Sequence, residues 1–166
     1  HRALGGTADR VAVGADFGIQ DSLDILMKKI QEAVDAGFPR GKLKYRPGWD
    51  LFMVEAVRST FKDFTFHIDC NAAYSPADTD MFRALDRFGL AMIEQPLADD
   101  GMSLLNHADL PQRIGTPVCL DESALSLDHV RAAIRLKSCR VVNIKMARVG
   151  GLTASRARSR PSDSAA

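Results

Sequence analysis

The 166-residue sequence is sparing in most features that reveal a protein at a glance. It has three cysteines, Cys70, Cys119 and Cys139, an odd number set far apart. That excludes a disulfide framework and a zinc-finger spacing, and it suits buried thiols of a reducing, cytoplasmic compartment. The four histidines (His1, His67, His107, His129) do not cluster. Net charge is only +1, so no field of one sign argues for nucleic acid or an anionic membrane. No apolar run approaches the ~20 residues of a membrane span. No secretory leader opens the chain, and its first residue is His rather than Met, which reads as a fragment or a processed product. No GxGxxG follows the first candidate strand, which argues against a dinucleotide-binding fold.

What remains is ordinary in bulk, with 46% hydrophobic and 26% charged residues, and enough chain for one domain with a core. Short apolar runs alternate with amphipathic stretches. Strands are expected at 11–19, 42–45, 64–69, 90–94, 117–121 and 140–145. Helices are expected at 21–37, 49–61, 75–89, somewhere within 101–113, and at 126–136. Asp21 or Ser22, Ser75 and Ser126 supply N-caps, Pro76 sits in a first helical turn, and Gly37 and Gly89 mark ends. Nearly continuous apolar strands alternating with helices signal a parallel sheet covered by helices. Six such units in unbroken alternation predict an α/β fold, a partial (β/α)8-type barrel. The expected division is a barrel portion over 1–152 and a disordered tail over 153–166, which has no large apolar residue. Arg156, Arg158 and Arg160 in that tail read as solvated charges rather than an RNA contact, because nothing else in the chain is basic.

The segment "GKLKYRPGWD" (41–50) places Lys42 and Lys44 on one face of a strand, where like charges repel. Alone, such a pair is a solvated strand edge. The rest of the chain changes that reading. Lys44, Asp69, Glu94, Asp121 and Lys145 close five successive strands, with gaps of 25, 25, 27 and 24 residues. In a barrel the C-terminal strand ends carry the catalytic groups, so these five should converge on one mouth. Three carboxylates without His or Cys make a hard oxygen site that suits Mg²⁺ or Mn²⁺. The two lysines flank that row from opposite sides. A lysine serves as a base when its pKa falls, and Lys42 is the neighbouring cation expected to lower that of Lys44.

In this order and spacing "KLK", "IDCN", "MIEQP", "CLDES" and "NIK-x₃-VGG" resemble the enolase superfamily, and within it the muconate-lactonising subgroup. "PGWD" and "IEQPL" resemble the branch of o-succinylbenzoate synthases and N-acylamino-acid racemases. The resemblance runs from about Leu4 to Leu152. It implies Asp69, Glu94 and Asp121 as ligands of Mg²⁺ (or Mn²⁺), Lys44 and Lys145 as the acid–base pair, and Lys42 and Asn71 in support. It implies abstraction of a proton α to the carboxylate of a small-molecule substrate, followed by dehydration or racemisation. Dipeptide epimerisation and muconate-type cycloisomerisation use the same set. Relatives of this kind are expected to be homo-oligomers, with neither nucleic acid nor membrane as partner. Met146-Ala147 stands where the family usually has Pro-Gly, and Cys70 where it usually has Ala. The capping domain and the last two strands of such enzymes have no counterpart here. The chain by itself is therefore expected to be inactive, a non-catalytic remnant of such an enzyme, and prone to associate through unpaired strand edges.

Overall fold

The computed structural model of the chain describes residues 6–159. Six strands form one sheet in the order β1-β2-β3-β4-β5-β6, and every pair is parallel. They are β1 (Ala15–Phe17), β2 (Arg40–Lys44), β3 (Thr65–Asp69), β4 (Ile93–Glu94), β5 (Val118–Leu120) and β6 (Val141–Val142). Between them run α1 (Leu23–Asp35), α2 (Asp50–Thr60), α3 (Thr79–Leu85), α4 (Ser103–Asp109) and α5 (Leu127–Leu136). Sequential order in a parallel sheet means that each crossover passes on one side, as in a barrel. Residues of all six strands line one cavity of about 480 Å³, so the sheet curls around its inner face. Among the described residues the outer edges of β1 and β6 pair with no further strand.

All six expected strands and five helices are present, and most bounds tighten. The run 11–19 contributes only Ala15–Phe17, and Val11 and Val13 are exposed. Position 14 to position 19 includes two glycines, which weaken a strand. Ser22, not Asp21, caps α1, accepting from Ile25 N at 3.3 Å. The 75–89 stretch is a capping box at Ser75 and Asp78, a 3-10 turn, the two turns of α3, and a second 3-10 turn closed by Gly89 at φ +60°.

The tail expectation needs correction. Leu152–Ser159 form a helix, α6, packed beside α5. The segment lacks an apolar face, but Leu, Ala and Arg rank high in helix propensity. Gly150 and Gly151, both at positive φ, turn the chain into its first turn, and Ser155 Oγ donates back to the Gly151 carbonyl at 2.8 Å. Residues 160–166, including Arg160, lie outside the described residues.

The core lies between the sheet's outer face and the helices. Leu43, Phe66, Ile68, Ile93 and Val118 point outward from the sheet onto Ile30, Met53, Val57, Phe82 and Leu85, all fully buried. Gly41 is required in this layer, because a Cβ there would come within 2.8 Å of the Phe64 ring. Arg58 fastens α2 to the start of the next unit. Its guanidinium donates to the carbonyls of Lys62, Phe64 and Phe88 at 2.8–3.0 Å and lies 4.4 Å above the Phe66 ring. These carbonyls end elements and have no ladder partner of their own, so one planar donor satisfies several at once.

Asp86 does the converse for backbone donors. Its carboxylate accepts from Gly115 N, Thr116 N and Thr116 Oγ at 2.6–2.8 Å, tying the end of α3 to the entry of β5. Burial opposes its charge, but those hydrogen bonds and nearby Arg83 outweigh it and hold its pKa below the ordinary value. A lowered acid pKa contributes stability above the unfolded-state value of ~3.9 and loses it as pH falls through the folded value. Asp86→Ala is therefore expected to cost roughly 1–3 kcal/mol at neutral pH. In denaturant titrations at stepwise lower pH, the gap from wild type should narrow below ~pH 4.

Candidate active site

Strand alternation sends Lys42, Lys44, His67, Asp69, Glu94, Asp121, Asn143 and Lys145 to the inner face at the C-terminal end of the sheet. Register aligns them, with Lys44 opposite Asp69 and Asp69 opposite Glu94. Lys44, Asp69 and Glu94 close their strands, Asp121 follows β5 by one residue, and Lys145 follows β6 by three. Lys44, Asp69 and Glu94 thus stand side by side across three strands, and Asp121 and Lys145 pair with each other further along the sheet.

The three carboxylates are almost wholly buried, Asp69 and Glu94 at 1% exposure and Asp121 at 0%. Each has cationic or amide partners. Asp69 Oδ2 takes Lys44 Nζ at 2.6 Å and Lys42 Nζ at 3.2 Å. Glu94 takes Asn143 Nδ2 at 2.6 Å on one oxygen and faces His67 Nε2 at 3.4 Å on the other. Asp121 pairs with Lys145 on Oδ2 and with Arg148 on Oδ1. Burial alone would push the Glu94 carboxyl up, but hydrogen bonds from His67 and Asn143 and the charge of Lys42 hold it down at about 2. Next to Asp69, burial and the surrounding carboxylates push the Cys70 thiol well up, which leaves it an inert neutral filler.

Lys42 has carboxylate partners of its own. It bonds Asp16 Oδ2 and Asp69 Oδ2, each at 3.2 Å. Burial favours its neutral form, but Asp69, Glu94 and Asp16 outweigh that and raise its pKa above the ordinary 10.5. It is a fixed positive charge among carboxylates. The two ammonium groups of "KLK" are held side by side because they share one oxygen of Asp69.

The donor types suit a hard divalent cation: three carboxylates, on adjacent strand ends, with no thiolate among them. The side chains do not form a closed ligand shell. Among the described residues no three His, Cys, Asp or Glu side chains are grouped to hold a metal ion. The physical reason is the density of cations: buried carboxylates take the nearest opposite charge, and four cationic side chains, from Lys42, Lys44, Lys145 and Arg148, are within reach. An ion entering this site would exchange those partners for itself.

Several residues escaped the sequence reading. His67 and Asn143 stand two positions before Asp69 and Lys145, so the same alternation that exposes a strand-end charge could have flagged them. Arg148 and Glu122 lie on loops and carried no periodic signal. Backbone strain marks the same rim: Asn71, Ala72 and Gln95 have φ of +44°, +62° and +37°. Asn accepts that region readily, whereas Gln95 is held there by its buried side chain. That amide accepts from Asp121 N and Ser123 N and donates to Ser123 Oγ at 2.6 Å, locking the Asp121 loop to the end of β4.

Residues 26–160 match the family profile described as Enolase C-terminal domain-like. The chain is 48% identical over 151 residues to an o-succinylbenzoate synthase of Geobacillus kaustophilus, covering 91% of this chain and 40% of that protein. It is 43% identical over 150 residues to an N-succinylamino acid racemase of Thermus thermophilus, covering 90% and 40%. A solved structure of an unknown enolase-superfamily member from Enterococcus faecalis superimposes with TM-score 0.88 at 39% identity, over 98% of this chain and 44% of that one. The chain thus spans about two fifths of the length of the relatives it matches.

The role of Lys42 yields a prediction. A lysine with a raised pKa contributes stability below its unfolded value and loses it only as pH rises through the folded value. Lys42→Met would leave Asp16 unpaired and remove one of two cations from Asp69. It is expected to cost roughly 1–3 kcal/mol, by a constant amount from about pH 6 to pH 9. A loss confined to one end of that range in thermal or urea unfolding would contradict the assignment.

Proposed function

The chain belongs to the Enolase C-terminal domain-like family, and from that premise we propose that it carries the acid–base and metal-ligand groups of an enzyme that removes a proton α to a carboxylate. The names of its relatives, o-succinylbenzoate synthase and N-succinylamino acid racemase, point to dehydration of an o-succinylbenzoate precursor or racemisation of an N-succinylamino acid. The observation that carries the reading is the row itself: Asp69, Glu94 and Asp121 on successive strand ends, with Lys44 bonded at one end and Lys145 at the other.

Asp69, Glu94 and Asp121 would hold a divalent cation, Mg²⁺ or Mn²⁺. When bound, such an ion supplies positive charge against the negative charge that gathers on the substrate carboxylate as its α-proton leaves. Lys44 takes the proton from one face of the α-carbon and Lys145 delivers one to the other, or the reverse, which interconverts enantiomers. In a dehydration, one lysine removes the proton and returns it to the departing hydroxyl, and the other acts by its charge. His67 and Asn143 keep Glu94 ionised, and Lys42 keeps a charge beside Asp69 whichever protonation state Lys44 adopts. Asn71 bonds Lys44 Nζ at 2.5 Å and so supports it. The three free cysteines agree with a cytoplasmic setting. No helix among the described residues is long and apolar enough to cross a membrane.

Two measurements test this. In an intact relative carrying the same pair, in deuterated solvent, exchange of the α-hydrogen of each N-succinylamino acid enantiomer is expected to fail in the equivalent of Lys44→Ala for one enantiomer and in that of Lys145→Ala for the other. Unchanged exchange in both variants would remove the lysines from the reaction. Independently of turnover, saturating Mg²⁺ is expected to raise the thermal midpoint, and Asp121→Asn to reduce that rise. An Asp121→Asn protein stabilised as much as wild type would remove Asp121 from the ligand set.

A further inference from the structure

Glu122 follows Asp121 and has no part in the scheme above. Its carboxylate nonetheless turns into the site. Oε1 accepts from Asn71 Nδ2 at 2.9 Å, and Oε2 is buried without a hydrogen-bond partner among the described residues. A buried carboxylate oxygen with no donor is costly and uncommon, so its place calls for a reason. Asn71 supplies one. Its amide has an acceptor-only carboxylate on the Nδ2 side and the Lys44 ammonium on the Oδ1 side, at 2.5 Å. Both neighbours demand the same orientation of the amide, which therefore cannot turn over. The Asn71 backbone is fixed as well, at φ +44° with its N–H on Asp69 Oδ1 at 3.1 Å.

The consequence falls on Lys44. Its Nζ has two set acceptors, Asp69 Oδ2 at 2.6 Å and Asn71 Oδ1 at 2.5 Å. A neutral amine has two N–H bonds and one lone pair. With both N–H bonds committed, the lone pair has one direction left. Among the described residues Lys145 has no comparable tether, its bonded partner being Asp121.

We propose that Glu122 is a positioning residue that, by holding the Asn71 amide in one orientation, fixes the direction in which Lys44 presents its reactive nitrogen pair. The proposal rests on the reading of Lys44 as a base. It predicts an asymmetry between the two lysines, because the tether reaches only one of them.

The test is competitive acylation with acetic anhydride at one fixed pH, on substrate-free protein, with Lys44 and Lys145 peptides quantified in the same digest. Releasing Lys44 from one acceptor frees its nitrogen to meet the reagent. Glu122→Ala is expected to raise the Lys44:Lys145 labelling ratio about three- to tenfold, the weight of one net hydrogen bond. Glu122→Gln, whose Oε1 can accept the same bond, is expected to keep the ratio within about twofold of wild type. Asn71→Ala breaks the link from its other end and is expected to reproduce the Glu122→Ala shift, which guards against a variant that merely loosens the fold, since loosening raises both lysines together. An unchanged ratio in Glu122→Ala, a Glu122→Gln shift as large as that of Ala, or an Asn71→Ala protein with the wild-type ratio would each overturn the proposal. The measurement needs no turnover, so it judges the Glu122–Asn71–Lys44 link separately from the exchange experiment that judges the base itself.

Discussion

The pairing of β2 with β3 sets Lys44 opposite Asp69, and the ion pairs of Asp69 with Lys42 and Lys44 follow from that register. Much else depends on this contact. A carboxylate at 1% exposure needs compensation, and two lysines on one strand face provide it. The same face then continues across the sheet, Asp69 opposite Glu94 and Glu94 beside Asn143, so one shift of register would turn the whole row into the helical layer. The outer face allows no such shift either, since Gly41 lies where only hydrogen fits against Phe64.

Electrostatics at the mouth is a set of closed local balances rather than a pool of repelling charge. Asp69 answers to Lys42 and Lys44, Glu94 to His67 and Asn143, Asp121 to Lys145 and Arg148. Each balance is built from residues that meet across strands or at loop ends. This arrangement holds Glu94 ionised, as its lowered pKa shows, and it gives each buried carboxylate a partner at the same time. Stability and the proposed chemistry share the same side chains, so changes in this row are expected to act on both.

The frame that carries the row is held by devices at the unit boundaries. Arg58 collects carbonyls between α2 and β4, Asp86 collects amides between α3 and β5, and the Gln95 amide clamps the loop after β5 to the end of β4. Each joins consecutive βα units through backbone groups with no ladder partner. Positive φ at Asn71, Ala72 and Gln95 is tolerated because such contacts over-determine the rim.

The sequence by itself determined the number and order of strands and helices, because periodicity, N-caps and glycine stops are local signals. It also determined that Lys44, Asp69 and Glu94 close their strands, since a side chain's facing follows from its phase. Lys42 stands out by its place two residues before Lys44 on one strand face, whereas Asn71 is a supporting residue through family resemblance alone. Only the tertiary structure decided who bonds whom. Lys42 pairs with Asp69 as well as Asp16, because burial leaves the Asp69 carboxylate in need of charge. His67, Asn143, Arg148 and Glu122 acquired their parts through contacts 27 to 51 residues distant in the chain, such as Asn71 to Glu122 and Arg148 to Asp121, and no local pattern encodes such a distance. The helix at Leu152–Ser159 shows the remaining gap: a segment without an apolar face gives no periodic signal, yet propensity, two glycines that turn the chain, and the neighbouring α5 are enough to wind it.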